Sequence, residues 1–251
     1  MKNIRILVAT HKPYWMPADP MYLPLHVGRA GKPDLGFAGD DTGENISAKN
    51  SHYCELTGIY WAWKNLNADY IGIAHYRRHF ATRSHFGNRR GRILTQARLE
   101  SWLERCDVLV PKPRHYYVET NWSQYAHAHH EADLAATRAV LGELCPQALP
   151  AFDASMQKRG GHRFNMFIMR RDRFNDYCGW LFPILFALEQ RLDLTGYSAN
   201  DARVFGFVSE RLLDVWLDTT RTPYREIPYV FTENQHWLSK GWRFLKRKWK
   251  A

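Results

Sequence analysis

The sequence has little that would tie it to a disulfide framework, a redox dithiol or a membrane span. Its four cysteines, Cys54, Cys106, Cys145 and Cys178, are widely scattered and form no Cys-x-x-Cys pair. That argues against a zinc knuckle and fits free thiols in a reducing cytoplasm. No apolar run approaches the roughly 18 residues of a membrane-spanning helix, and the one in MKNIRILVATHK is too short for a signal peptide. The protein is therefore expected to be cytoplasmic, or peripheral at the inner face of the cytoplasmic membrane. Neither a Gly-x-Gly-x-x-Gly nor a Walker A pattern occurs, so dinucleotide and P-loop chemistry are not expected. Acidic residues are the scarcer sign: 25 Asp and Glu against 35 Lys and Arg, a formal net charge of +10. Such a balance favours acidic partners, namely nucleotide diphosphates, anionic lipid or nucleic acid.

What is present suits a globular chain of 251 residues, 45% hydrophobic and 14% aromatic, long enough to bury a substantial core. The stretch from Asn45 to Phe80 carries the strongest pattern. Asn50-Ser51 offers a helix N-cap, Glu55 falls in the first turn, and Leu56, Ile59, Tyr60 and Trp63 recur at helical spacing. Tyr70 to Ala74 is a short apolar run containing Gly72, as a buried parallel strand would be. It empties into His75-Tyr76-Arg77-Arg78. Ligands of open α/β sheets bind beyond the carboxyl ends of strands, so these residues, with Asn45, Ser47, Lys49 and Asn50 just upstream, point to a phosphate or sugar site. Thr10, His11 and Lys12 sit in the same way after an apolar run from Ile4 to Ala9.

Further along, strands are predicted at 106–110 and 164–169, and helices at 95–105, 121–144, 175–191 and 200–217. Asp40-Asp41, followed by Thr42-Gly43, reads as a solvated turn. His127, His130 and Glu131 share one helix face, a spacing metals use, but no fourth ligand is evident and no metal is expected there. Arg203, Phe207, Glu210 and Asp214 follow at 4-3-4 spacing, either as a charged stripe with i,i+4 ion pairs or with Glu210 facing a cleft. The alternation of strands and helices predicts an α/β fold with a mixed, largely parallel sheet. Residues 236–251 form a basic, aromatic tail, and 237–250 fits a helix lying on anionic lipid.

The runs ENISAKN, CELTGIYWAWKN and DYIGIAHYRRHF, with QYAHAHH, RFNMFIMRRDRF and RVFGFVSERLLDVWL downstream, resemble the domain-of-unknown-function family 4422. This is a family of bacterial capsular, exopolysaccharide and O-antigen glycosyltransferases. The resemblance covers nearly the whole chain. It implies a GT-A-like domain over 1–235, with nucleotide-sugar binding in 1–113 and acceptor and catalytic groups in 114–235. It further implies transfer of galactofuranose from UDP-galactofuranose to a lipid-linked glycan acceptor. By the same resemblance Gln124, Tyr125, His129 and Asn165 are acceptor- or sugar-facing. A transferase of this kind needs a base, and Asp201 at a helix start competes with Glu210 in the family-like VSERLL motif. Inversion is expected. GT-A enzymes usually end a central strand in Asp-x-Asp to hold a divalent metal, whereas here the corresponding strand delivers His75, Tyr76, Arg77 and Arg78. Guanidiniums repel such an ion but bind phosphate bidentately, so no metal cofactor is expected. Two rival readings are a nucleic-acid-binding protein and a non-catalytic carbohydrate-binding module. Against the first, the cations are scattered and no reader motif appears.

Overall fold

The computed structural model describes residues 2–83 and 87–233. The tail expected over 236–251 lies outside the described residues. Strand β1 (Ile4–Thr10) pairs in parallel with β2 (Tyr22–His26), which pairs in parallel with the short β3 (Ala38–Gly39). The single helix expected from Asn50 is in fact two, α1 (Asn50–Tyr53) and α2 (Leu56–Asn65). Between them Cys54 takes φ 52°. The Asn50 side chain donates to the Cys54 carbonyl at 2.7 Å, occupying an acceptor that a continuous helix needs for its own ladder. Glu55 thereby becomes the residue ahead of α2 rather than a member of a first turn.

Strand β4 (Tyr70–His75) lies parallel to β1 and turns tightly into the antiparallel β5 (Arg78–Phe80). Helix α3 (Gln96–Leu103) and β6 (Val108–Pro111) follow, then β7 (Arg114–His115). Residues 121–144, expected as one helix, form α4 (Asn121–Ala128) and α5 (Glu131–Leu144), because His129 and His130 are extended. The start of α4 is fixed by a reciprocal capping box between Thr120 and Ser123. Helix α6 (Leu149–Gln157), β8 (Gly160–Gly161), β9 (Phe167–Arg170) and α7 (Arg171–Glu189) come next. Helix α8 (Val204–Thr220), β10 (Arg225–Ile227) and β11 (Tyr229–Phe231) complete the described chain.

The main sheet runs β10-β6-β9-β4-β1-β2-β3, with β5 and β11 added beyond the end of β4. Strand β9 is antiparallel to both its neighbours, while the other pairs along that path are parallel. This is the mixed, mostly parallel α/β sheet that the sequence predicts.

Both faces of the sheet are covered, which explains why its strands read as unbroken apolar runs. Leu7, Ile71, Ile73, Phe167 and Met169 join one core with the long helices, while Ile6, Val8, Tyr70 and Ile168 join a second core on the opposite face. Gly72 lies where β1, β4 and β9 crowd together, and a Cβ there would come within 2.9 Å of Ile168 and 3.0 Å of the Phe167 carbonyl. Among the described residues no helix is long and apolar enough to cross a membrane.

Asp40 departs from the solvated turn expected of it. It is fully buried and accepts hydrogen bonds from the backbone of Gly28 and Arg29 and from the hydroxyls of Ser47 and Thr57. Four donors from three segments hold its carboxylate, so this acid pins the loop after β2 to the start of α2.

Candidate active site

The carboxyl ends of β1 and β4 open into a cleft with two lobes, of about 640 Å³ and about 370 Å³. Glu55, His75, Tyr76, Arg77 and Arg203 line both. The larger lobe adds His11, Lys32 and Asn50. The smaller adds Arg78, Arg114, Tyr116, Glu210 and Arg211.

The tight turn from β4 to β5 supplies the floor, since His75 pairs with Arg78 across it. Burial pushes the His75 pKa down to about 4, so the ring is neutral at physiological pH. Its Nε2 lies 2.6 Å from the Phe164 carbonyl. A carbonyl only accepts, so Nε2 carries the hydrogen and Nδ1 keeps a lone pair. The Arg78 guanidinium lies 3.5 Å from the Phe164 ring centre and 4.8 Å from that of Phe231. Burial lowers its pKa to about 10, which leaves it a cation at neutral pH. Arg77 is exposed and faces Glu233 at 3.6 Å. Tyr76 is buried edge-on between His11 and Tyr14.

Glu55 reaches the same floor from the break between α1 and α2. Its Oε1 accepts from Asn165 Nδ2 at 2.7 Å and lies 4.0 Å from His75 Nε2. Burial raises its pKa. Because His75 is neutral and directs its hydrogen at Phe164, the two side chains do not form an ion pair. Asn165 is itself almost wholly enclosed, with a second bond to the Gly206 carbonyl and one from Ser209. Phe164 and Asn165 both hold positive φ, 80° and 51°, a conformation Asn tolerates better than most residues.

The far wall is the start of α8. Arg203 Nε donates to Cys54 Sγ at 3.1 Å. Phe207 stacks on His129 with ring centres 4.2 Å apart. Glu210 projects beside them, and its negative charge favours the protonated forms of Arg78 and Arg203. Gly206 lets this helix approach: a Cβ there would stand 3.1 Å from Cys54 Sγ. The charged stripe expected along α8 is therefore divided. Arg203, Phe207 and Glu210 face the cleft, while Asp214 bonds to His162 and Arg163 behind it.

That second group supports the remaining wall, a ribbon made by β7 and β8. His162 Nδ1 lies 2.5 Å from Asp214 and its Nε2 3.3 Å from Glu226. Burial works against the imidazolium, yet the two carboxylates hold the His162 pKa above its ordinary value. Arg163, 1% exposed, bonds Asp214, Asn121 and the Tyr116 hydroxyl. Tyr116 is thus presented to the cleft by a packed ion network.

Residues 5–221 match the family model described as a domain of unknown function, DUF4422. The chain belongs to the DUF4422 family. Its fold is similar to the solved apo structure of WbbM, a bifunctional glycosyltransferase, with a TM-score of 0.86 and 32% sequence identity. The match covers 92% of this chain and 46% of WbbM, so the chain spans about half the length of that protein. No curated protein matches the chain. The DUF4422 chain is glycosyltransferase-like in both fold and sequence.

Of the residues singled out in the DUF4422 sequence, His11, Asn50, His75, Tyr76 and Arg77 line the cleft. So do Arg78, Gln124, His129 and Glu210. Others are engaged elsewhere. Thr10 is buried and bonds the Lys12 carbonyl, and Lys12 lies over the Tyr76 ring. Asn45 closes a turn onto Gly43, Ser47 bonds Asp40, and Lys49 pairs with Glu189 at 2.6 Å. Tyr125 is fully buried and donates to Asp133, and Asn165 acts beneath the surface through Glu55. Asp201 accepts from Ser198 and contacts His129 Nδ1 at 3.1 Å, outside the residues that line the two lobes. His127, His130 and Glu131 turn to Glu119, Tyr197 and Trp122, respectively. Among the described residues no group of three or more His, Cys, Asp and Glu is arranged to hold a metal ion.

Residues that the sequence reading did not single out for the site include Lys32, Arg114, Tyr116 and Arg211. Only Arg211 carried a signal, as the neighbour of Glu210 in the VSERLL run. The others come from loops and a two-residue strand, where no periodicity marks a function.

Proposed function

We propose that this chain is a glycosyltransferase that moves a sugar from a nucleotide sugar, UDP-galactofuranose, to a hydroxyl of a bacterial surface polysaccharide. The observation that carries the reading is the β4–β5 turn, which sets His75, Tyr76, Arg77 and Arg78 at the floor of a cleft beyond parallel strand ends. That is where a doubly wound sheet takes a nucleotide. In this reading the larger lobe, lined mostly by the first half of the chain, receives the nucleotide. Arg77, Arg78 and Arg203 meet the diphosphate and offset the charge that builds on it as the sugar departs. The smaller lobe, walled mostly by residues beyond 113, receives the acceptor.

Glu210 is the better placed of the two candidate bases. It lines the smaller lobe, whereas hydrogen bonds from Ser198 and His129 lower the Asp201 pKa and make that carboxylate a poorer proton acceptor. A single carboxylate base suffices for direct displacement with inversion, which a product NMR spectrum showing retained α-configuration would contradict. The guanidiniums take the electrostatic part that a divalent ion plays in other nucleotide-sugar enzymes.

The test is turnover of UDP-galactofuranose in excess EDTA, with R77A and R78A alongside. The expected result is activity that survives EDTA and falls by about 100-fold or more in at least one variant. Silencing by EDTA with rescue by Mn²⁺, and full activity in both variants, would overturn the assignment. UDP calorimetry adds a check, since a carbohydrate-binding module without a nucleotide site would give no heat.

A further inference from the structure

The smaller lobe carries more positive charge than a neutral sugar needs. Arg211 is 4% exposed, donates through Nη1 to the Phe207 carbonyl and through Nη2 to Gln124 Oε1, both at 2.8 Å, and has no partner for Nε. Among the described residues no carboxylate lies within ion-pair distance of it. The nearby Arg163 charge adds to burial in disfavouring its protonated form, with Glu210 only partly compensating. Arg114, on the ribbon across the lobe, is exposed, lies over the Tyr116 ring at 5.5 Å and likewise has no acidic partner among the described residues. A buried guanidinium without a counter-ion is costly, and an anion arriving from outside would remove that cost.

The donor diphosphate is not the natural partner of this pair. Arg114 and Arg211 line only the smaller lobe and come from the far ribbon and α8, while Arg77 and Arg203 stand at the junction with the larger one and Arg78 follows Arg77 in the β4–β5 turn. Resting on the glycosyltransferase reading, we infer that the acceptor is an anionic glycan. Its carboxylate or phosphate group, close to the reacting hydroxyl, is held by Arg211 and Arg114 while a sugar ring packs on Tyr116. A planar guanidinium suits either group, because both present paired oxygens. With the anion fixed there, the neighbouring hydroxyl falls beside Glu210.

Calorimetry on the full chain saturated with UDP tests this directly, using methyl β-D-glucuronide, galactose 1-phosphate and, as the neutral control, methyl β-D-glucoside. The expected result is that at least one anionic ligand binds about tenfold or more tighter than the glucoside. The tighter of the two then identifies the group as carboxylate or phosphate. R211Q and R114A should each abolish that preference and leave UDP affinity within about twofold. Because Arg114 is exposed, R114A reads the effect even if R211Q fails to fold. Equal binding of charged and neutral ligands would overturn the inference, as would variants that weaken UDP as much as the acceptor ligand. A wild-type chain that binds no UDP would sink the nucleotide-sugar reading instead, and the same glucuronide-to-glucoside comparison without UDP would still decide the acceptor's charge.

Discussion

Replacing Asn165 by alanine removes the fastening between the cleft floor and α8. The side chain donates to Glu55 at 2.7 Å and to the Gly206 carbonyl at 3.1 Å, and accepts from Ser209 at 2.9 Å. A bond to a charged group is worth about 1.5–3 kcal/mol and each neutral one about 0.5–1.5 kcal/mol. Alanine at φ 51° adds about 1 kcal/mol of backbone cost that asparagine largely avoids. Together these predict a loss of about 3.5–7 kcal/mol, which for a chain of this size lowers the melting temperature by about 7–28 °C. Thermal unfolding followed by circular dichroism measures this. Asn165→Asp sharpens the experiment, because it keeps the shape but sets a second carboxylate against Glu55. That variant should be less stable at pH 8 than at pH 5, where the pair can share a proton. A fall of under about 3 °C for the alanine variant, or an aspartate variant as stable as wild type at both pH values, would refute the reasoning.

Two further outcomes follow from the same geometry. Glu210→Gln should lower kcat by about 100- to 10,000-fold with UDP affinity held within a few-fold, while Asp201→Asn should cost far less. Retained turnover in the Glu210 variant would move the role to Glu55, the carboxylate common to both lobes, and a steady-state comparison of Glu210→Gln, Asp201→Asn and Glu55→Gln settles which. His79 is fully buried against Trp15 and Tyr22, and burial puts its pKa at about 4. The unfolded chain therefore takes up this proton first, so stability falls as the pH drops from about 6.5 towards 4. Urea titrations at pH 7 and pH 5 should show wild type losing about 1–2 kcal/mol more than His79→Phe, and equal losses would count against the buried neutral ring.

The sheet was legible because its strands are short apolar runs covered on both faces, and the site's position followed from where β4 ends. Long-range partners were not legible. Asp40 looked like a turn because the donors that bury it, from Gly28 to Thr57, are invisible to local spacing. The break at Cys54 lacked a glycine or proline to announce it, since the competing bond comes from the Asn50 side chain. Ser47 and Lys49 were grouped with the arginines by proximity in sequence, yet their contacts with Asp40 and Glu189 direct them away from the cleft. Arg114 and Arg211 are 97 positions apart in number but share one lobe, and no pattern in either segment links them.

The placement of β9 has a consequence for how the molecule is made. It sits between β4 and β6, antiparallel to both, yet it is translated well after either. At about 5–20 residues per second, roughly 5–20 s pass between the emergence of β4 and that of its missing neighbour. Throughout that interval the Tyr70–Ile73 edge is unpaired, and from β6 onward both edges of that strand stand open as well, since its other neighbour, β10, comes later still. Such edges are templates for pairing between chains. The arrival of Phe167–Arg170 closes the β4 edge and one edge of β6 at once, and a nascent chain stalled before that point would offer these sticky borders to its neighbours on the same message.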